Sequence, residues 1–148
     1  MILLEINWNL LLPILFLALI VAFLIVRIYR MRHLMTGGAG AVESEHTIEL
    51  RDATFEKTIS KGVSLVDFWA PWCGPCRIQG PIVNELANEM HDKAQICKMD
   101  VDQNKKMAGK YGIRSIPTIM IFKDGKMVKQ FVGVKTKNAL KKELENHL

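Results

Sequence analysis

Apolar residues divide the chain into one unbroken block and a longer stretch of short periods. Residues 10–26 are an apolar run of seventeen, and extended back to Ile6 the run covers twenty-one, interrupted only by Asn7 and Asn9. As a helix, twenty-one residues span roughly 31 Å, about the thickness of a hydrocarbon core. Trp8 and Tyr29 fall near the two ends, where amphipathic rings favour the interface. Pro13 falls near the first turn, where a missing N–H costs least. A helix apolar all round does not suit the core of a small soluble domain. The pattern therefore predicts an N-terminal transmembrane anchor over residues 1–35, with the span at about 6–26. A cleaved signal peptide is the rival reading. Its first region should be basic, yet residues 1–9 contain no Lys or Arg. Ala39-Gly40-Ala41 resembles a cleavage site but lies thirteen residues past the run.

Residues 36–46, rich in small side chains, read as a flexible linker. From 47 to 148 the periods alternate. Residues 47–50 suggest a short strand. Asp52 is placed to cap a helix carrying Phe55 and Ile59. VSLVDFWA at 63–70 is rich in β-formers and reads as a buried strand. From Cys73 to about Met90 the spacing is helical, with Pro81 inside it as an expected kink. AQICKMDV at 94–101 is a further strand, and 105–111 a short helix. TIMIF at 118–122 and MVKQFV at 127–132 flank Asp124-Gly125, a hairpin signal. Thr136 is placed to cap a last helix with Leu140, Leu144 and Leu148 on one face. The order β-α-β-α-β-α-β-β-α predicts an α/β domain whose alternating part is parallel with right-handed crossovers. The hairpin adds an antiparallel pair, giving a mixed sheet with helices on both faces.

Charge changes this picture mainly at the anchor. Arg27, Arg30 and Arg32 follow the apolar run and Glu5 precedes it, so the positive-inside rule places the N-terminus outside and the domain in the cytoplasm. After residue 41 there are seventeen basic and fourteen acidic residues, a dispersed balance without the basic stripe that nucleic-acid binding requires. With three cysteines, the chain lacks the count of a disulfide-scaffolded secreted mini-protein.

Two of the cysteines carry the chemistry. Cys73-Gly74-Pro75-Cys76 follows a strand and opens a helix. Free N–H groups and the positive end of the helix dipole favour an anion there. Cys73 is therefore the expected thiolate nucleophile, and Cys76, one turn further in and more shielded, the resolving thiol. Gly74 and Pro75 allow tight entry into the helix. Pro75 also removes one backbone donor, which points toward a reducing dithiol. Half a zinc site is excluded: zinc wants four ligands, and no second C-x-x-C or His pair exists, so no metal is expected. Asp67 stands inside an apolar strand, where a carboxylate is costly unless used or paired. Burial should raise its pKa, which suits a proton acceptor for Cys76. Lys98, on the neighbouring strand, could pair with it. Cys97 should face the other way, as a small buried hydrophobe. At Pro117, before a strand, the residues alone favour the commoner trans bond. No role is assigned to His33, His46, His91 or His147.

VDFWAPWCGPC at 66–76, MDVDQ at 99–103, KYGIRSIPT at 110–118 and FKDG at 122–125 resemble the thioredoxin family. The likeness covers about 47–148 with several signatures in order. It implies a thioredoxin fold and a protein-disulfide reductase that binds no cofactor beyond its redox-active Cys73–Cys76 disulfide. It also implies that Asp67 and Lys98 are the buried acid and its lysine neighbour, and that Pro117 is cis and faces the disulfide. Ile116 would offer backbone hydrogen bonds to substrate, and Trp72, Gly74, Pro75, Val132 and Gly133 would form the apolar groove. Trp69 would pack beneath the site, and Pro81 would form the kink. Implied partners are disulfide-containing proteins and, in the cytoplasm, a flavin-dependent thioredoxin reductase using NADPH. An outward-facing domain would instead draw on a membrane electron carrier, as envelope reductants for cytochrome maturation do. A membrane-bound binding or assembly module with incidental cysteines is the alternative from a different class.

Overall fold

A computed structural model describes residues 8–36 and 44–148, with side chains at 12–28 and from 44 onward. Glu5 and most of the expected linker (37–43) lie outside these residues, as do the side chains of Trp8, Tyr29, Arg30 and Arg32. Two compact units result, and each is described by itself. The first is one helix, α1 (Trp8–Thr36), whose side chains at 12–28 are all exposed. Among the described residues, no helix is long and apolar enough to cross a membrane. The expected span at 6–26 begins outside them.

The second unit runs β1 (Thr47–Glu49), α2 (Phe55–Ile59), β2 (Val63–Trp69), α3 (Gly74–Met90), β3 (Gln95–Asp100), α4 (Lys105–Lys110), β4 (Thr118–Lys123), β5 (Lys126–Val132) and α5 (Lys137–Glu145). The element order matches the one read from the periods. Strands lie in the order β1-β3-β2-β4-β5. β3 is parallel to β1 and β2, while β4 is antiparallel to both β2 and β5. The alternating order predicts a parallel β4, and this is overturned: β4 reverses against β2. The reversal starts β4 beside Phe68, at the same sheet end where β2 delivers the cysteine motif. Residues 116 and 117 are thereby brought to that end.

β2 is buried from Val63 to Phe68 because both sheet faces are covered. On one side, Leu65, Ile96, Ile119 and Ile121 meet Val83, Leu86, Leu140 and Leu144 of α3 and α5. On the other, Val66, Phe68, Cys97 and Phe122 meet Phe55, Ile59 and Met107. Phe55 gathers Phe68, Tyr111 and Phe122 around it at ring-centroid distances of 5.1–6.2 Å. Each of the three buried phenylalanines is worth about 1.5–3 kcal/mol over its exposed state.

One cap differs from expectation. Asp52 does not cap α2. Its carboxylate accepts from the backbone N–H groups of Met107 (2.9 Å) and Lys106 (3.3 Å), so it caps α4 from across the domain. Asn104, which precedes α4, in turn accepts from the Asp52 N–H at 3.0 Å. A carboxylate at a helix N-terminus does not need to belong to the same chain segment, and here the tertiary partner wins. Thr136 does cap α5, accepting from the Ala139 N–H. Leu148 falls beyond α5 and is exposed, so the apolar face of that helix is Leu140 and Leu144 only. In the hairpin, Asp124 and Gly125 take positive φ (49° and 78°), as a tight two-residue turn requires.

Candidate active site

β2 ends at Trp69 and the chain turns through Ala70, Pro71 and Trp72 before α3 begins. Cys73 holds the N-cap position in extended backbone geometry, and its sulfur accepts from the Cys76 N–H at 3.2 Å. The two cysteines are joined in a disulfide with their Cα atoms 5.3 Å apart. A sulfur at this position meets the unsatisfied donors of the first helical turn, which favours the thiolate once the bond is reduced. Pro75 occupies that first turn, where proline's fixed φ and absent N–H fit. α3 continues on both sides of Pro81. Cys73 and Cys76 are 4% and 5% exposed. The greater shielding expected of Cys76 is therefore not seen for whole residues, and a partner must come up close to reach either sulfur.

Three other segments lie at this end of the sheet. The Ile116–Pro117 bond is cis, against what the residues alone favoured and as the resemblance implied. Ile116, with Trp69 and Val101, packs against the cluster of Ala70, Cys73 and Cys76. Val132 pairs with Thr118 across β4 and β5, and the Gly133 N–H donates to the Pro117 carbonyl at 2.8 Å. Gly133 has φ of 78°, a left-handed backbone that favours glycine. Trp72 stands two-thirds exposed, its ring N–H donating to Asp102 at 2.7 Å. Gly74 has open space where a side chain would begin.

Beneath this surface, Asp67 is 1% exposed and one of its carboxylate oxygens has no hydrogen-bond partner. Burial pushes its pKa up to about 7, against the opposing pull of the Lys98 ammonium. Lys98 lies directly across from Asp67 in the β2–β3 register. Its Nζ lies 3.9 Å from where a side chain would begin at Gly80, so the ammonium rests against α3. Cys97 points to the opposite core, fully buried, and burial raises its thiol to about 12. Its place in that core is the one strand alternation predicted. Among the described residues no three His, Cys, Asp or Glu side chains gather as a metal site.

Two residues at the site lie outside those expected from the sequence. Asp102, the partner of the Trp72 ring, carried no signal. Gln79 did carry one: it occupies an inward position of α3 between Cys76 and Val83, where a polar residue is out of place. It is fully buried, and its side-chain oxygen accepts from the Lys135 N–H at 2.7 Å. That bond fastens the loop after Gly133 to the helix that carries the cysteines.

The geometry agrees with the chain's relatives. The thioredoxin family profile matches residues 46–146. Thioredoxin of Bacillus subtilis is 50% identical over 101 residues, 68% of this chain and 97% of that protein. Thioredoxin 2 of Chlorobaculum tepidum is 51% identical over 102 residues, 68% of this chain and 94% of the relative. Among solved structures, a point-mutant thioredoxin from Halobacterium salinarum NRC-1 superposes with a TM-score of 0.65 at 34% identity, covering 72% of this chain and 94% of that one. With a disulfide seated at a helix N-terminus and likeness running through the whole second unit, the chain belongs to the thioredoxin family and is a thiol–disulfide oxidoreductase.

Proposed function

We propose that the chain is a protein-disulfide reductase held at a membrane by its first helix. The observation that carries the chemistry is the Cys73–Cys76 disulfide at the start of α3, with Ile116 packed against its cluster; Trp72, Pro117 and Val132 are the residues that would complete an apolar groove over it. In the reduced state the Cys73 thiolate attacks one sulfur of a substrate disulfide. A mixed disulfide forms and the other substrate sulfur leaves as thiolate. Asp67, poised near pH 7, accepts the Cys76 proton. The Cys76 thiolate then attacks the Cys73 sulfur, the substrate's second thiolate leaves, and the Cys73–Cys76 disulfide is restored. Two electrons pass to substrate per cycle. Ile116 offers its backbone to an extended substrate segment, Gly74 and Gly133 leave room for it, and Pro75 keeps the dithiol reducing.

The apolar run at 6–26 and the arginines after it support an anchor with the domain in the cytoplasm, recharged there by a flavin-dependent thioredoxin reductase. Tethering raises the local concentration of enzyme at membrane-bound substrates. Two experiments test the reading. Dithiol-dependent reduction of insulin disulfides by the full chain should vanish in Cys73→Ser; retained activity would defeat the enzyme reading. An impermeant thiol reagent, added to intact cells after reduction with a permeant dithiol, should leave Cys73 unlabelled until lysis. Labelling of intact cells would instead place the domain outside, fed by a membrane electron carrier.

A further inference from the structure

Glu49, Lys98 and Asp67 lie side by side in register on three neighbouring strands, β1, β3 and β2. Residues in register project to the same face, so the row runs from solvent to core. Glu49 is exposed, Lys98 is half-buried and Asp67 is buried. The lysine is thus flanked by two carboxylates. The other charged strand groups on this face include Asp100, whose carboxylate is taken up by the Gln103 amide and the Asp102 N–H, both at 2.8 Å, and two lysines, Lys123 in register with Val63 and Lys129 in register with Ile121. β4 places Ile119 beside Asp67, Leu140 and Leu144 of α5 lie in the apolar cluster on this face, and Gly80 of α3 lies against the Lys98 ammonium. Of the carboxylates on this face, Glu49 is the one on the sheet edge beyond Lys98.

We propose that Glu49 is a positioning residue for the resolving step: it competes with Asp67 for the Lys98 ammonium and so sets how tightly Asp67 holds a proton. The inference rests on Asp67 being the acceptor for Cys76. It is supported by the opposite senses in which the two neighbours act, Lys98 drawing the Asp67 carboxyl toward ionisation and Glu49 toward protonation. Two strand spacings separate the Glu49 and Asp67 backbones by roughly 10 Å. At that distance one charge moves a titration by roughly 0.3–1 pH unit over the dielectric range between surface and interior.

The test uses the full chain in detergent micelles, with carbon-13 in its aspartate carboxyls, and follows Asp67 by NMR from pH 5 to 9. Glu49→Gln should move the Asp67 titration down by roughly 0.3–1 pH unit at low salt, and by less in 1 M salt. Glu49→Asp, which keeps the charge, should stay near the unsubstituted protein. An Asp67 titration that is unmoved in Glu49→Gln, or that moves equally in Glu49→Asp, overturns the proposal. The pH profile of mixed-disulfide resolution is measured alongside in Asp67→Asn. If that profile is unchanged, the assignment of Asp67 as acceptor fails, whatever Glu49 does to its titration.

Discussion

Asp67→Asn should make the protein more stable, by an amount that depends on pH. The substitution keeps the shape of the side chain and removes only its ability to ionise. In the folded chain the Asp67 carboxyl titrates near 7 because burial penalises its charge, against 3.8 when solvated. Below about pH 4 both folded and unfolded chains hold the proton, and the buried group is neutral. Between 4 and 7 the unfolded chain releases its proton while the folded chain keeps it, so stability falls as pH rises. Above 7 both are ionised and the whole penalty is present. A displacement of about 3 pH units corresponds to about 4 kcal/mol. Titrating groups far from Asp67 contribute alike to both proteins and cancel in their difference. Urea unfolding of the oxidised full chain in detergent, followed by tryptophan fluorescence, should show the stability difference rising by up to about 4 kcal/mol between pH 4 and 8 and then levelling. A difference that is flat across that range would refute the placement of a desolvated carboxylate at residue 67.

Asp52→Ala should lower stability by about 0.5–2 kcal/mol, the usual cost of a lost helix cap, seen as an earlier urea midpoint. An unchanged midpoint would mean that Asp52 does not hold α4. Iodoacetamide at pH 8 should alkylate Cys73 of the reduced native chain and leave Cys97 untouched until denaturant is added, as peptide mass spectrometry would show. Comparable modification of Cys97 in the native chain would contradict its burial. Gln79→Met should raise KM for a protein disulfide about 2–10-fold, the worth of one hydrogen bond. It should hardly affect a small aromatic disulfide, which does not need the loop beyond Gly133. Equal effects on both substrates would show that the bond to Lys135 serves only the fold.

Sequence pattern and structure agree where local signals act alone. The run of β-formers before Cys73, the helical spacing from Cys76 to Met90, the Asp124-Gly125 turn and the Thr136 cap are all set by neighbours within a few residues. Asp67 was legible because a carboxylate in an apolar strand is out of place, and Cys97 because alternation turns it away from Lys98. What escaped depends on tertiary partners. Asp52 has a cap's chemistry but serves α4, fifty-odd residues on, because the fold brings that helix start to it. The reversal of β4 against β2 is a property of where the chain returns to the sheet, which no spacing encodes. Asp102 meets Trp72 across thirty residues, without a pattern to announce it. Leu148 continues a helical spacing on paper, but α5 ends at Glu145 before it can join the core. The cis bond at Pro117 came from family likeness rather than from the residues themselves.

The measurement closest to the central claim is a trap. The full chain carrying Cys76→Ser is reduced, freed of reductant, mixed with an oxidised protein substrate and examined on a non-reducing gel and by mass spectrometry. Attack by Cys73 without a resolving thiol predicts a stable adduct through Cys73, released by dithiothreitol and missing when Cys73→Ser is added. An adduct through Cys97, or none with any disulfide substrate, would contradict the assignment of Cys73 as the attacking sulfur.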